Sequence, residues 1–160
     1  LENQTGTNNS FKPVKIRNPN STRPWQHVLE SLSGYLVVGQ KLLMGQRAVE
    51  GSWNFGPKPE GNRTVLEVLT TINHLWREVK WHRTERSEPH EANLLYLDIN
   101  KAQRKLNWHP VWDIETALVK TTEWYKQWLH AKRIISRSQL IEYIDDARDA
   151  KIEWANFENN

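Results

Sequence analysis

The sequence predicts a helix-rich α/β domain, in which amphipathic helices alternate with short strands. Apolar residues recur at the three- and four-residue spacing of a helix in several separate windows of the chain. Between these windows lie short extended runs bounded by proline, glycine, asparagine and serine, the residues that favour turns. The composition, 38% hydrophobic and 26% charged residues in a chain of 160, is that of an ordinary globular domain. We therefore expect one domain, with at most a small appendage.

The first elements are predicted to be a short strand, a turn and a long helix. Residues 12–17 alternate weakly and predict a strand. Residues 18–24 have turn chemistry, because asparagine and serine bond their own backbone and proline fixes φ. The apolar stripe that follows predicts a helix over residues 26–44. Within it, Gly34 and Gly39 are small residues of the kind kept where another backbone packs close.

Two further extended runs flank a second predicted helix. Residues 52–57 predict a short strand that ends in a turn, and residues 79–82 predict an edge strand. Between them, apolar residues at helical spacing predict a helix that begins near Thr64 and reaches Trp76. Residues 83–91 are charged and irregular, so we expect a loop there.

Three more helices are expected in the carboxyl-terminal part. Asp98 is predicted to cap a helix that runs through Leu106, and Asp113 is predicted to cap the next one. Ser136 and Gln139 have the spacing of a capping box, which predicts the start of the last helix.

The last helix is predicted to form an extension of the domain. It follows the basic pair Lys132-Arg133, so we divide the chain into a domain over residues 1–131 and a helical extension over residues 132–160. The apolar stripe of this extension should dock on another domain, on a second subunit or on its own domain. The stripe consists of Leu140, Ile141, Ile144 and Ala147.

The nine tryptophans are mostly predicted to be buried. Trp108 and Trp112 flank a proline and should clamp two helices together. Trp25 follows Arg23 closely in the basic turn, where its ring would either line a nucleotide pocket or make a packing contact. Three others lie on predicted helical stripes and are expected in the core: Trp124, Trp128 and Trp154.

Composition excludes several classes of protein. Without cysteine there is no disulfide scaffold, no thiolate nucleophile and no cysteine-bound metal. No apolar run approaches the ~20 residues of a membrane helix, and no secretory leader precedes the first strand, so we expect a cytoplasmic protein that is not bound to a membrane. Four cations and no acid lie between Glu2 and Glu30, a segment too short for a nucleic-acid arm. A solvated loop or a small anionic ligand such as phosphate explains this cluster: Lys12, Lys15, Arg17 and Arg23.

The common catalytic motifs are absent from the sequence. The scattered glycines form no phosphate cradle, and no serine elbow, zinc-binding histidine pair or tyrosine four residues before a lysine is present. His90 and Glu91 are an adjacent histidine–carboxylate pair, which on its own is interpreted as a surface pair. The residues alone therefore predict a basic turn and no self-contained active site.

Several blocks of sequence resemble one family of nucleotide-sugar enzymes. Residues 23–28 read Arg-Pro-Trp-Gln-His-Val, residues 53–57 read Trp-Asn-Phe-Gly-Pro, and residues 89–92 read Pro-His-Glu-Ala. These blocks, in order within residues 13–130, resemble the CDP-glucose 4,6-dehydratase family of the extended short-chain dehydrogenase/reductases. Ser31 departs from the pattern, because the family usually has proline there.

The resemblance implies a fold and a reaction. Members of the family have an amino-terminal Rossmann domain that holds NAD and a smaller carboxyl-terminal domain that closes over the nucleotide sugar. They oxidise the sugar at C4, eliminate water across C5 and C6, and return the hydride to C6. This sequence is similar to the substrate-binding C-terminal domain only. We therefore expect it to bind CDP-glucose, to require the missing Rossmann domain, to form a homo-oligomer when full length, and to bind no NAD and catalyse nothing by itself.

The resemblance also implies site residues. Arg23 occupies the place of an arginine that relatives use on the nucleotide or phosphate end of the ligand, and Arg17 is a weaker candidate for the same anion. Glu91 falls where relatives place an acid that accepts hydrogen bonds from the ribose, and His90 would help to hold that loop. The alternatives are a stand-alone nucleotide-binding or interaction module, or a fragment of a related sugar epimerase.

Overall fold

The computed structural model describes residues 12–84 and 94–156, which form a helix-rich α/β fold with two small sheets. The predicted fold class is thus confirmed at this level. The strands are β1 (Val14–Ile16), β2 (Thr22–Pro24), β3 (Asn62–Thr64) and β4 (Trp81–Arg83), and the helices are α1 (Val28–Leu43), α2 (Val65–Leu75), α3 (Asn100–Leu106), α4 (Ile114–Ala131) and α5 (Ser136–Asp149). Short 3-10 turns span Arg47–Val49, Pro59–Gly61 and Glu153–Ala155.

Each sheet has two strands. β1 and β4 are parallel, whereas β2 and β3 are antiparallel, with Arg23 directly opposite Arg63. Leu94 forms a parallel bridge to Thr22, so β2 has a backbone neighbour on each side. The strands predicted over residues 12–17 and 79–82 correspond to β1 and β4.

The strand predicted over residues 52–57 is wrong, because this run has no strand partner. Side chains satisfy its backbone instead: Gln26 Nε2 donates to the Phe55 carbonyl at 2.9 Å, and the Lys101 ammonium donates to the Ser52 carbonyl at 2.8 Å. Phe55, Gly56 and Pro57 are buried, so the run crosses the interior as irregular chain.

A first core cluster joins α1 to α3. Gly34 lies so close to Phe55 that a Cβ there would be 2.3 Å from the ring, so the close neighbour is an aromatic side chain and not the backbone that was expected. At Gly39 the same expectation is wrong, because a Cβ would meet no atom within 4 Å. The buried members of this cluster are Val37, Val49, Phe55, Ile99, Ala102, Leu106 and Trp108.

A second core cluster lies between α2 and α4. It contains Val68, Ile114 and Leu118, and the half-buried Trp25 packs against it. The indole Nε1 of Trp25 donates to the Arg63 carbonyl at 3.0 Å. Of the two interpretations of Trp25, the structure therefore supports the packing contact.

Helix caps were predicted with mixed success. Thr64 and Glu67 form the capping box that starts α2, and Asp113 caps α4 by accepting from the Thr116 amide at 2.8 Å. Asp98 accepts from the Asn100 amide at 2.9 Å, although the residue that precedes α3 is Ile99, one position later than predicted.

The capping box predicted at Ser136 and Gln139 is wrong. α5 is preceded by Ile135, and no side chain caps it. The Ser136 hydroxyl instead accepts from Trp124 Nε1 at 2.8 Å, and Gln139 Nε2 donates to the Lys120 carbonyl at 2.8 Å. Both polar side chains are used to fasten α5 to α4, which is a tertiary contact that local spacing does not reveal.

The described part of the extension packs on the rest of the domain. Tyr143 and Ala147 of α5 are buried, while Leu140 and Ile141 of the predicted stripe are exposed. Trp154 lies in the last 3-10 turn and stacks on Tyr143, with 5.8 Å between ring centroids. Trp128, expected in the core, is 42% exposed, because it lies on the outer side of α4 and stacks on Trp124. Over the described residues, no helix is long and apolar enough to cross a membrane.

Candidate functional site

The site predicted around Arg23 is built on β2. Arg23 is half-buried in the middle of this strand, between the β3 ladder and the Leu94 bridge that flank it. Its Nη1 donates to the Thr22 carbonyl at 2.8 Å. The Arg23 side chain therefore projects from a short strand whose backbone is paired on both sides. This pairing limits the conformational freedom of the Arg23 backbone.

The backbone around β2 is fixed by close contacts at Gly61. The Trp25 amide donates to the Gly61 carbonyl at 3.1 Å. A Cβ at Gly61 would lie 2.4 Å from the Pro57 side chain and 3.2 Å from the Trp25 carbonyl oxygen, so only glycine fits. This packing holds β2 and β3 at their observed separation.

The turn before β2 closes over the start of α2. The Val65 amide donates to the Ser21 carbonyl at 3.0 Å, and the Leu66 amide donates to the Pro19 carbonyl at 2.9 Å. Together with the Thr64–Glu67 capping box, these bonds use the amide groups that a helix otherwise leaves unpaired at its start. The start of α2 therefore keeps few unpaired amide groups for an anion.

Arg17 lies in the other sheet. It follows Ile16, the last residue of β1, which pairs with Arg83 of β4. Arg17 is exposed and makes contacts of its own within the structure. The structure thus places Arg23 within one small sheet and Arg17 directly after a strand of the other, with the turn over residues 18–21 between them.

His90 and Glu91, the other two predicted site residues, lie outside the described residues. The chain is described again from Leu94, which bridges Thr22, and the Leu95 amide donates to the Thr22 carbonyl at 3.3 Å. Glu91 precedes this bridge by three positions.

A buried carboxylate in the helix that follows β2 was not predicted. Glu30 of α1 is 1% exposed. Its Oε1 accepts from the Trp112 amide at 2.8 Å, and its Oε2 accepts from the Val111 amide at 3.0 Å and from the Tyr143 hydroxyl at 2.8 Å. One carboxylate thus connects α1, the segment before α4, and α5.

Burial dominates the electrostatics of this cluster. Burial raises the pKa of Glu30, although the bonds from Trp112, Val111 and Tyr143 act in the opposite direction. Burial, together with the negative charge of Glu30, also raises the pKa of Tyr143, so its phenol stays protonated and able to donate. Ser33, one helical turn further along α1, accepts from Trp108 Nε1 at 3.0 Å. The signal available in the sequence was the spacing of Glu30 and Ser33, which places two polar groups on the buried side of the helix.

The segment of chain between Arg23 and Glu30 is also held in place by side-chain contacts. His27 caps α1 by accepting from the Leu29 amide, and its ring lies edge-on to Trp112 at 4.8 Å. Burial lowers the pKa of His27, which favours its neutral form. Gln26 donates to Ser31 Oγ at 2.8 Å, so the residue that departs from the family pattern accepts a hydrogen bond that proline would not.

The described residues form no recognisable reaction centre. No group of three or more metal-binding side chains occurs among them. Glu30 is enclosed by its donors and has no open side toward a substrate. The arrangement is a half-buried arginine on a strand that is paired on both sides, and a separate buried carboxylate that joins three segments.

Comparison with known proteins gives one informative relative, and no family model matches the chain. The chain is 40% identical, over 134 residues, to the CDP-glucose 4,6-dehydratase of Salmonella typhimurium strain LT2. The aligned region covers 82% of this chain and 37% of the relative. The resemblance inferred from the sequence blocks is thus confirmed, and the coverage is consistent with a carboxyl-terminal part of such an enzyme.

Proposed function

We propose that this chain is the substrate-binding portion of a CDP-glucose 4,6-dehydratase of the extended short-chain dehydrogenase/reductase type. The complete enzyme would convert CDP-glucose to CDP-4-keto-6-deoxyglucose and water. The observation that carries the proposal is the position of Arg23, in a strand fixed on both sides and within a block that the resemblance assigns to nucleotide binding. The 40% identity to a dehydratase supports the same assignment.

In this proposal Arg23 binds the diphosphate of the nucleotide sugar. A guanidinium is permanently charged and presents a planar fork that matches two phosphate oxygens. Glu91 would accept hydrogen bonds from the ribose, with His90 holding its loop, and Arg17 would contribute more distant positive charge. Residues 1–131 form the nucleotide-sugar domain, and residues 132–160 form its helical extension.

The redox chemistry belongs to another domain. The sequence contains no glycine-rich dinucleotide turn and no Tyr-x-x-x-Lys pair, so its residues do not fit NAD. The chain spans 37% of the length of its dehydratase relative. We therefore expect the chain alone to bind no NAD and to be catalytically inactive.

An apolar face of α1 supports the need for that other domain. Large exposed apolar side chains lie along one side of this helix: Val28, Leu32, Tyr35, Leu36 and Leu43. A contiguous exposed apolar stripe of this kind is typical of an interaction surface. In our proposal the cofactor domain of the same enzyme covers it, because the relative has almost two thirds of its length outside the aligned region.

Titration with CDP tests the binding role. The chain should bind CDP weakly, in the millimolar range expected of a partial pocket, as followed by NMR of the Trp25 indole, and Arg23→Gln should abolish the shift. Arg104→Gln, an exposed charge change in α3, is the matched control. Submicromolar affinity would instead favour a self-sufficient binding module, and an unchanged affinity in Arg23→Gln would remove Arg23 from the site.

Reading the coding DNA upstream of Leu1 tests the enzyme assignment directly. An in-frame strand with a glycine-rich turn, followed by Tyr-x-x-x-Lys, is the expected result. The reading frame of a complete epimerase or of an unrelated domain would contradict the dehydratase assignment.

A further inference from the structure

We propose that Arg63 is a second phosphate-binding arginine, which forms with Arg23 a two-guanidinium clamp across the β2–β3 ladder. This proposal rests on the assignment of Arg23 to the diphosphate of a nucleotide ligand. It adds a residue that neither the sequence motifs nor the family resemblance singles out, and it predicts selectivity for a diphosphate over a nucleoside.

The register of the two strands carries the proposal. Arg23 and Arg63 are direct partners in an antiparallel ladder, between the pairs Thr22–Thr64 and Pro24–Asn62. Side chains of direct partners project from the same face with Cβ atoms about 5 Å apart. Two adjacent phosphoryl groups can therefore each meet one guanidinium from the same side.

Two like charges at such a position are unfavourable unless other groups compensate them. Glu115 lies beside Arg63, and Arg23 has interactions of its own. Like-charged residues directly opposite each other in a sheet are unfavourable. Natural sequences tolerate a local conflict of this kind chiefly at functional sites. A bound anion between the two guanidinium groups would convert the repulsion into attraction.

The backbone at Arg63 is held as firmly as that at Arg23. The Arg63 carbonyl accepts the Trp25 indole N–H at 3.0 Å, and the next residue, Thr64, caps α2. Glycine is required two residues earlier, at Gly61, where the chain passes under Pro57. Such fixed positions reduce the ordering cost of binding.

The present partner of Arg63 is weak enough to be displaced. Arg63 Nη2 lies 3.4 Å from Glu115 Oε1, and the two side chains are 40% and 67% exposed. Exposed ion pairs of this kind contribute little to stability. Glu115 lies in the first turn of α4. Because its carboxylate is already beside the Arg63 guanidinium, it would compete with a bound phosphate for that group.

Competition predicts opposite effects for two substitutions, which can be measured as dissociation constants for CDP and inorganic pyrophosphate. Arg63→Gln should raise both constants about three- to tenfold, the range of one partly exposed charged hydrogen bond. Glu115→Gln should lower them about twofold, because Arg63 is released. Arg104→Gln, with the same charge change as Arg63→Gln, should alter neither, and the constant for cytidine should stay the same in all variants.

Three outcomes would overturn the clamp: unchanged diphosphate affinity in Arg63→Gln, an equal loss in Arg104→Gln, or an equal loss for cytidine. Circular dichroism and thermal unfolding verify that each variant is folded. Arg63→Lys keeps the charge without the planar guanidinium, so its loss of diphosphate affinity should lie between those of wild type and Arg63→Gln. If Arg23→Gln abolishes binding while Arg63→Gln leaves both dissociation constants unchanged, the clamp fails and the proposed function stands. If neither substitution alters binding, the proposed function fails as well.

Discussion

The carboxylate of Glu30 in α1 accepts a 2.8 Å hydrogen bond from the hydroxyl of Tyr143 in α5, across 113 positions of sequence. The bond joins the helical extension to the helix that follows the Arg23 strand. A buried charge costs free energy unless donors surround it, and the amides of Val111 and Trp112 supply the other two. The extension thus helps to stabilise the buried carboxylate of α1.

Removal of the Tyr143 hydroxyl should destabilise the fold. Tyr143→Phe deletes a donor to a buried carboxylate, so the free energy of unfolding should fall by about 1–3 kcal/mol. Tyr125→Phe is the matched control, because Tyr125 is exposed and its hydroxyl has no hydrogen bond among the described residues. Urea unfolding at neutral pH measures both variants, and equal stability of Tyr143→Phe and wild type would contradict the role of this bond.

The pKa of Glu30 predicts a pH dependence of stability. Because burial raises the pKa of Glu30 in the folded state above its ordinary 4.5, its contribution is fully present below pH 4.5 and is lost as the pH rises through the folded pKa. The Glu30→Gln variant has no ionisable group at this position. The free energy of unfolding of wild type, minus that of Glu30→Gln, should therefore decrease between pH 4 and pH 7.

Other titrating groups are common to the two proteins, so this difference isolates Glu30. Urea unfolding at half-unit steps of pH provides the values. A difference that increases with pH would mean that the hydrogen bonds from Val111, Trp112 and Tyr143 outweigh burial.

Two glycines of α1 should respond oppositely to alanine. A Cβ at Gly34 would lie 2.3 Å from Phe55, whose ring is packed edge-on against Trp108 at 4.9 Å and has little room to move. Gly34→Ala should therefore cost about 1–3 kcal/mol. Gly39→Ala meets no atom within 4 Å and should gain about 0.5–1 kcal/mol from helix propensity. Thermal unfolding measures both, and equal effects would contradict the packing at Gly34.

Sequence periodicity predicted the helices well, because an apolar face buried against a core repeats at helical spacing. It failed for β2 and β3, which are three residues long and hold their shape through partners about 40 positions away. Proline at position 24 also concealed a strand, since it cannot donate to a ladder. The strand predicted over residues 52–57 was wrong for a different reason. The backbone carbonyls of this run are hydrogen-bonded by side chains such as Gln26, and not by a neighbouring strand.

The candidate site was predicted in part. Arg23 stays a prediction that rests on its distinctive block of sequence, whereas the buried Glu30 lies in the same stretch and was overlooked. The pattern of apolar residues cannot predict the burial of this carboxylate, because its hydrogen-bond donors, Trp112 and Tyr143, are more than 80 positions away in sequence. Arg63 was overlooked for a related reason, because only the strand register brings it opposite Arg23.

Neighbouring positions on α1 should distinguish its open face from its buried one. Leu36 is 74% exposed, whereas Val37 is 6% exposed and belongs to the first core cluster. Leu36→Asp should change the free energy of unfolding by less than about 0.5 kcal/mol, because nothing in the described chain covers it. Val37→Asp should cost more than about 4 kcal/mol or prevent folding, because it buries an unpaired charge.

The same pair of variants tests the proposal that another domain covers this face. Removing apolar surface at Leu36 should reduce self-association of the isolated chain, as measured by sedimentation velocity at increasing concentration. In the complete enzyme, the same change should weaken contact with the cofactor domain and lower activity, while the isolated chain keeps its stability. A loss of stability in Leu36→Asp as large as that in Val37→Asp would mean that α1 is already covered by this chain, which would remove the docking face.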